Sequence, residues 1–320
     1  MTQTAMPETV VPKTATSKTA ASKTATRPQP ETQAGICEVE RLGPRHVEPS
    51  ILFEIPHGAT LGSHYDALRP RLSSTLPEGI EGVFHMNTDI GAPEVSRWVA
   101  ERLADAGIAS MIVRCSIPRT FIDCNRVLDQ TPDGAVTQSI PDYIDSDADQ
   151  AFLRDLHRRY TEVAEAAYAT VCGSGGLALT VHTYAPRSVQ ILQVKHSIVE
   201  ELRAAYEPDV YDTWPVRPPV DLITRDRDGA LLAPPELLAA VREHYTAQGV
   251  DVTENHAYRL FDVTMGYHHS ARWPGRVLCL ELRRDLLAEE FLPFRAMTID
   301  PQKVERMAQP LAEALLANTR

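Results

Sequence analysis

The sequence predicts an α/β domain with a mostly parallel or mixed central sheet and helices on both faces. Three observations indicate this class: short, continuously apolar runs, amphipathic stretches of helical period between them, and Pro and Gly at the ends of those stretches. Apolar runs without alternation are typical of strands that are buried on both faces, as in parallel sheets. Regular alternation of such strands with helices favours one layered sheet.

Each predicted element follows from its local pattern. The strands are the runs 51–56, 109–115, 119–126, 177–184 and 276–284. The helices are 93–107, 148–172, 235–249 and 301–317; the first begins near Pro93 and ends at Gly107, as helices commonly do. Residues 127–147 and 206–234 are rich in Pro and Asp without a period, so they are predicted to be long loops of the kind that wall functional sites.

The chain is predicted to hold one folded domain preceded by a tail. Residues 1–35 repeat Lys with Thr, Ala and Ser and offer little to bury, which predicts disorder. The tail has no apolar segment of a secretory signal. Residues 36–320 show no internal repeat and no linker, so they are assigned to a single domain.

Composition excludes several classes of partner. The net charge of −11 argues against nucleic acid, which requires a basic surface. No apolar run is long enough to span a bilayer. Five scattered cysteines without a CxxC pair are typical of a reduced, cytoplasmic protein. The sequence does not predict an oligomeric state.

Chemically useful side chains follow several predicted strands. His57 follows the first strand, His182 ends the 177–181 apolar run, Asn125-Arg126 end the 119–124 run, and Glu281 lies in the last strand. Ligands of open α/β sheets bind at the carboxyl ends of strands. Two histidines and a carboxylate are the ligands of a catalytic Zn²⁺, so one zinc ion per chain is predicted.

Glu281 is the candidate for proton transfer. It lies in VLCLELRRDL, where alternate neighbours are apolar and an unused charge would be costly to bury. A carboxylate beside zinc would take a proton from water and return it to the leaving nitrogen. The alternative is an ion pair with Arg283 or Arg284.

A set of motifs resembles the N-formylglutamate amidohydrolase family. The motifs IPHG, TDIGAPEV, PRTFIDCNR, VHTY, NHAYRLFDVT and LELRRDL occur in the order of that family between about residues 50 and 290. VHTY followed by LELRRDL is also distantly similar to the zinc carboxypeptidases. The resemblance implies a phosphorylase/hydrolase-like fold of the zinc carboxypeptidase type.

The resemblance also implies residue roles. His57 and His182 would be zinc ligands, and Glu281 would be the general base and later the acid. Arg119 would stabilise the oxyanion. The substrate would be a small amide that carries a carboxylate, held by Arg126 with Asn125, Asn255 and Tyr258.

The chain departs from the family pattern at several positions. Thr60 stands where H-x-x-E of the carboxypeptidases has its glutamate, so the third ligand is open between Asp89, which we favour, and His64 or Asp66. Leu260-Phe261 replace a glycine pair of the family, which puts N-formylglutamate itself in question as substrate. His268-His269 are predicted to be loop residues rather than ligands.

The leading hypothesis is therefore a zinc-dependent hydrolase of N-formyl or N-acyl amino acids. One alternative is a carboxypeptidase-like amidase that acts on a peptide or a natural-product intermediate. The other is a binding protein that retains the fold without metal or catalysis.

Overall fold

A computed structural model describes residues 30–130, 136–189, 191 and 193–319. Its centre is a seven-stranded sheet with the order β1-β3-β2-β4-β7-β5-β6. The strands are β1 (Cys37–Leu42), β2 (Ile51–Ile55), β3 (Ser110–Cys115), β4 (Leu177–Tyr184), β5 (Val220–Ile223), β6 (Val252–Glu254) and β7 (Val277–Arg283).

The four central strands β3, β2, β4 and β7 run parallel. At one edge β1 is antiparallel to β3, and at the other β5 is antiparallel to β7 while β6 is parallel to β5. The sheet is therefore mixed with a parallel centre, which confirms the predicted fold class.

Helices cover both faces of the sheet. They are α1 (Gly62–Leu68), α2 (Ile80–Asn87), α3 (Ala92–Asp105), α4 (Asp147–Val171), α5 (Ile198–Ala205), α6 (Pro208–Tyr211), α7 (Pro235–Ala247), α8 (Met265–Arg272) and α9 (Pro301–Asn318). Helices α3, α7 and α9 pack on one face against Phe53, Val181 and Leu280, while α4 packs on the other against Leu52 and Ala178. Successive strand residues point to opposite faces, so each apolar strand contributes to both cores.

The α4 face of the sheet contains a buried carboxylate. Glu54 of β2 is 2% exposed and accepts hydrogen bonds from the hydroxyls of Tyr160 at 3.0 Å and Tyr168 at 2.8 Å. Tyr168 also bonds Thr180 at 2.9 Å. A buried polar group is tolerated when its hydrogen bonds are satisfied, so this cluster joins α4 to two central strands.

The run 119–126 is the main error in the strand prediction. It forms turns rather than a strand, with Phe121 N donating to Pro118 O and Arg126 N donating to Asp123 O. Its apolar residues Phe121 and Ile122 are fully buried. The apolar run therefore indicated burial rather than a strand, because a tightly packed turn buries its side chains as a strand does.

The predicted loop 206–234 contains the short helix α6 and the strand β5, which lies between β7 and β6. The sequence also gave no prediction for β1, β6, α1, α2, α5 and α8, most of which are short. Short elements carry few periods of a pattern, and their formation depends on contacts with distant residues.

Residues 30–35, which the sequence assigned to the tail, are within the described part of the chain. Pro30 is buried, and Thr32 Oγ1 accepts a hydrogen bond from Val39 N at 2.8 Å, so this stretch lies against β1. The rest of the tail, residues 1–29, lies outside the described residues. Across the part of the chain that the structure describes, no helix is long and apolar enough to cross a membrane.

Asp149 fastens the start of α4 to the segment that follows α1. Its carboxylate accepts bonds from Ser73 N at 2.8 Å, Ser74 N at 2.6 Å and Ser74 Oγ at 2.7 Å. Burial raises the pKa of Asp149, but the hydrogen bonds from Ser74 and Ser73 outweigh it and hold the pKa below its usual value. Ionised Asp149 therefore stabilises the fold.

We predict that Asp149→Asn lowers the free energy of unfolding by about 1–3 kcal/mol at neutral pH, because charged hydrogen bonds are lost. A lowered folded-state pKa stabilises the fold above the unfolded value, and this contribution is lost as pH falls through the folded value. The difference between variant and parent should therefore shrink below about pH 4.

Denaturant unfolding at several pH values measures this difference. Asp145→Asn, an exposed neighbour before α4, is the matched control and should be close to neutral. An equal loss in Asp149→Asn at pH 7 and pH 3 would contradict the role of the charge.

Candidate active site

The topology places three predicted residues beside one another. β2, β4 and β7 are adjacent and parallel, so their carboxyl ends meet at one edge of the sheet. His57 follows β2 by two residues, while His182 and Glu281 are direct register partners in β4 and β7. Partners in neighbouring strands point to the same face, here the α4 face.

His57, Asp89 and His182 form a buried cluster. Asp89 Oδ2 lies 3.1 Å from Nδ1 of His57 and 2.8 Å from Nδ1 of His182. The two imidazole centroids are 5.0 Å apart. One ligand atom from each residue lies within 4.8 Å of the others, so the three could hold a metal ion.

Main-chain contacts position Asp89 between α2 and α3. Its N–H donates to His57 O at 3.1 Å, and Thr88 Oγ1 donates to Ala59 O at 2.8 Å. Gly91 then precedes α3 at φ 91°, where a Cβ would lie 2.7 Å from a methyl carbon of Leu287. Only glycine fits this turn. The glycine of TDIGAPEV therefore lets α3 begin just after Asp89, which lies close to both histidines.

Asp123 contacts the ring nitrogen of His57 that does not face Asp89. Its Oδ1 lies 2.7 Å from His57 Nε2, its Oδ2 accepts from Arg119 Nε at 2.9 Å, and Oδ1 also accepts from Asn125 N. Burial would raise the pKa of Asp123, but Arg119, then Arg126 and His57, hold it well below its usual value. An ionised Asp123 at Nε2 holds the imidazole ring of His57 so that its Nδ1 faces Asp89.

The second histidine has a weaker support. Asn125 Nδ2 lies 3.3 Å from His182 Nε2, while the amide oxygen of Asn125 accepts from Gly266 N at 3.1 Å. Asn125 thus joins the 119–126 segment to α8 and holds the ring of His182. The sequence had assigned Asn125 to substrate alone.

Glu281 retains an unused carboxylate oxygen. It is 8% exposed, and its Oε2 is buried without a hydrogen-bond partner among the described residues. Burial raises the pKa of Glu281 to about 7, against the charges of His182 and Arg217, while Asp89 raises it further. A buried acid near neutrality is suited to accept and return a proton.

The alternative role for Glu281 as an ion-pair partner is contradicted. Arg283 Nε bonds Asp285 at 2.9 Å, and Arg284 donates to Thr183 O and Met86 O. Both guanidinium groups are therefore engaged elsewhere. Arg284 also approaches Asp89 Oδ1 at 3.6 Å, which adds a positive charge beside the cluster.

These residues open into a cavity of about 620 Å³. Its lining includes His57, Asp89, His182, Glu281, Arg119, Asn125, Arg126 and Tyr258. Eight of the nine predicted site residues therefore lie at one cavity. Leu260 and Phe261 line it as well, so the bulky pair that replaces the family's glycines does contact the space available to a ligand.

Asn255 is the exception. Its amide oxygen accepts from Thr224 N and Arg225 N, both at 3.0 Å, and its amide nitrogen donates to Thr224 Oγ1. It adopts φ 53°, a left-handed conformation that asparagine tolerates. The structure does not bring Asn255 to the cavity; it shapes the turn that delivers Tyr258 there.

Asp221, which the sequence analysis did not select, holds the same turn. It pairs with Glu281 across β5 and β7, is fully buried, and accepts from His256 N at 3.1 Å and Ala257 N at 2.8 Å. A signal existed, because Asp221 interrupts the apolar run VDLI as Glu281 interrupts its own strand. The prediction of a loop over 206–234 hid that signal.

Histidines outside the cluster have structural positions. His64 lies in α1, where its Nδ1 accepts from Leu61 N at 3.2 Å, and neither His64 nor Asp66 joins the metal-ligand group. His268 and His269 lie in helix α8 rather than in a loop, which corrects that prediction. His269 is buried and stacks on Tyr168 with centroids 3.9 Å apart.

The fold and the site define a hydrolase built on a mixed α/β sheet with a His-Asp-His group beside a buried glutamate. The family model for N-formylglutamate amidohydrolase matches residues 50–288, and the chain belongs to that family. The resemblance noted from the motifs is thereby confirmed. No curated protein sequence matches the chain.

Two solved structures are similar to the chain, and the first of them shows the same fold. The N-formylglutamate amidohydrolase from Ralstonia eutropha JMP134 is similar with a TM-score of 0.53 and 17% identity, over 88% of this chain and 96% of that one. The gene product Atu2144 from Agrobacterium tumefaciens has a TM-score of 0.48 and 18% identity, over 90% and 97% of the two chains.

We predict that the cluster binds zinc and that Asp123→Asn weakens this binding about 10- to 100-fold, because His57 loses its charged partner although Asp123 is outside the ligand group. Calorimetric titration of metal-free protein with zinc measures the affinity. Asp142→Asn changes an exposed carboxylate nearby and should bind zinc like the parent. Thermal unfolding of both variants establishes that they are folded; a folded Asp123→Asn with parental affinity would refute this support.

Proposed function

We propose that the protein is a zinc-dependent amidohydrolase that cleaves the amide bond of an N-formyl or N-acyl amino acid. The observation that carries the proposal is the unpartnered oxygen of Glu281 beside the His57–Asp89–His182 cluster. A buried carboxylate without a partner is costly, and water or a substrate in the cavity would supply one. Membership in the amidohydrolase family supports the same reaction.

The donor set suits zinc. Nδ1 of His57, Nδ1 of His182 and Oδ2 of Asp89 would be its ligands, since these atoms already face one another. Two nitrogens and one carboxylate leave a coordination position open, as in other catalytic zinc sites. Bound zinc would supply Lewis acidity and lower the pKa of water. Asp89 itself stays ionised: burial raises its pKa, but His57 and His182 lower it below the usual value.

The residues around the cluster have separate roles in the proposed reaction. Glu281 takes the proton of the attacking water and delivers it to the leaving nitrogen, so that no proton is lost overall. Arg119, fixed through Nε by Asp123, stabilises negative charge that develops on the amide oxygen. Asn125 holds His182, and Tyr258 also lines the cavity.

We predict that the purified protein contains about one zinc per chain. His182→Ala should lose both the metal and the hydrolysis of N-acyl amino acids, because one of three ligands is gone. Metal content by elemental analysis and amide hydrolysis by amine release are the measurements.

His64→Ala is the matched control, since His64 was an alternative ligand that lies outside the cluster. It should retain zinc and activity. Full hydrolysis by protein stripped of metal would exclude the proposal, and so would zinc retained in His182→Ala.

We predict that Glu281→Gln keeps its zinc and loses about 10²- to 10⁴-fold in kcat, because an amide cannot take the proton. Steady-state hydrolysis together with metal analysis separates the two effects. Glu290→Gln changes an exposed carboxylate after β7 and serves as control. Parental kcat in the folded Glu281→Gln protein would remove Glu281 from the reaction.

A further inference from the structure

Arg217 is a cavity-lining guanidinium that the sequence analysis did not select. Its carbon Cζ lies 4.9 Å from the ring centre of Tyr184 and 5.8 Å from that of Tyr258. Its Nη2 donates to the Tyr258 hydroxyl at 3.3 Å. Its Nε is buried, and among the described residues it has no hydrogen-bond acceptor. The two rings hold the charge in place without neutralising it.

Four of the other arginines that line the cavity bond acceptors of the protein, and the fifth, Arg259, is exposed to solvent; the four are Arg119, Arg126, Arg187 and Arg284. Arg126, which the sequence assigned to the substrate carboxylate, donates from Nε to Thr137 O at 2.9 Å and from Nη1 to Asn125 O at 3.1 Å. Its Nη2 lies 3.6 Å from Asp123. Arg119 and Arg284 likewise bond protein acceptors.

Arg217 forms no ion pair with a carboxylate of the described residues, and its positive charge lowers the pKa of Glu281. A partly buried cation with an unsatisfied donor is stabilised when an anion enters beside it. A planar carboxylate matches the guanidinium best.

The same cavity has an apolar part. Helices α2 and α5 and the segment 136–141 contribute Val83, Met86, Val136, Pro141, Ile198 and Leu202 to its lining. A volume of about 620 Å³ lies within the range of sites that enclose molecules of drug size. A formyl group has one carbon, so a formylated small amino acid would leave most of that apolar surface in contact with water.

We propose that the substrate is an amide that joins a carboxylate, bound by Arg217, to an apolar group of about six to ten carbons that packs against α2 and α5. The apolar group belongs either to the acyl part of the amide or to its amino-acid part. This inference rests on the proposed amidohydrolase function and assigns its substrate class. Burial of each additional methylene favours such a substrate over its formyl counterpart.

Binding to Glu281→Gln protein tests the substrate class without turnover. Calorimetry would compare N-octanoyl-L-alanine and N-formyl-L-phenylalanine with N-formyl-L-alanine, which lacks the large group. N-octanoyl-ethylamine, which lacks the carboxylate, completes the set. At least one of the first two should bind about tenfold or more tightly than each of the last two. Binding of N-formyl-L-alanine as tight as both larger acids would overturn the proposal.

Variants test where the carboxylate and the apolar group of the ligand bind. Arg217→Gln should weaken binding of the carboxylate ligands about 10- to 100-fold and leave N-octanoyl-ethylamine unchanged. Arg203→Gln is the matched control, because Arg203 also lies over an aromatic ring, that of Phe294, but outside the cavity lining. Leu202→Trp should remove the advantage of the octanoyl chain while N-formyl-L-alanine binds as before.

These measurements distinguish failure of the proposed ligand class from failure of the proposed function. Tight, Arg217-dependent binding by a protein that hydrolyses none of these amides would refute the reaction and support the ligand class. Hydrolysis that prefers N-formyl-L-glutamate, or equal behaviour of the Arg217 and Arg203 variants, would support the reaction and refute the ligand class.

Discussion

The parallel pairing of β2, β4 and β7 is the constraint on which the site depends. It sets His182 directly beside Glu281 and brings the segment after β2 to the same edge, although His57 and Glu281 are far apart in the chain. A shift of one residue in the β4–β7 register would turn His182 or Glu281 toward the opposite face, into the core formed by α3, α7 and α9. The apolar partners Val181 and Leu280, both fully buried, oppose that shift. Hydrophobic packing on one face therefore fixes the chemistry on the other.

Three carboxylates interrupt apolar strands on the α4 face, and their partners distinguish their roles. Glu54 is satisfied by two tyrosine hydroxyls, and Asp221 by main-chain N–H groups and Thr253. Glu281 alone of the three retains a buried oxygen without a partner in the described structure. A carboxylate in an apolar run is thus a signal of a specific role, but only the surrounding contacts show whether that role is structural or chemical.

Much of the fold and part of the site could be predicted from the sequence. Long apolar strands and helices that begin at proline can be recognised from their own pattern. The motifs IPHG, TDIGAPEV, VHTY and LELRRDL, in the order of the family, predicted one site that contains His57, Asp89, His182 and Glu281. Arg217 could not be found in this way, because its importance comes from Tyr184 and Tyr258, which are distant in sequence, and from the lack of a protein anion. The contact of Asp123 with His57 likewise exists only after the 119–126 segment folds as a turn.

The way in which Asp221 holds the turn after β6 leaves room for divergence. Its carboxylate grips the peptide N–H groups of positions 256 and 257, which every residue except proline provides. The side chains at 256 and 257 take no part in this anchor, so either residue can be replaced by any residue except proline without loosening it. Because Ala257 lines the cavity, this part of the wall can change while Glu281 keeps its place.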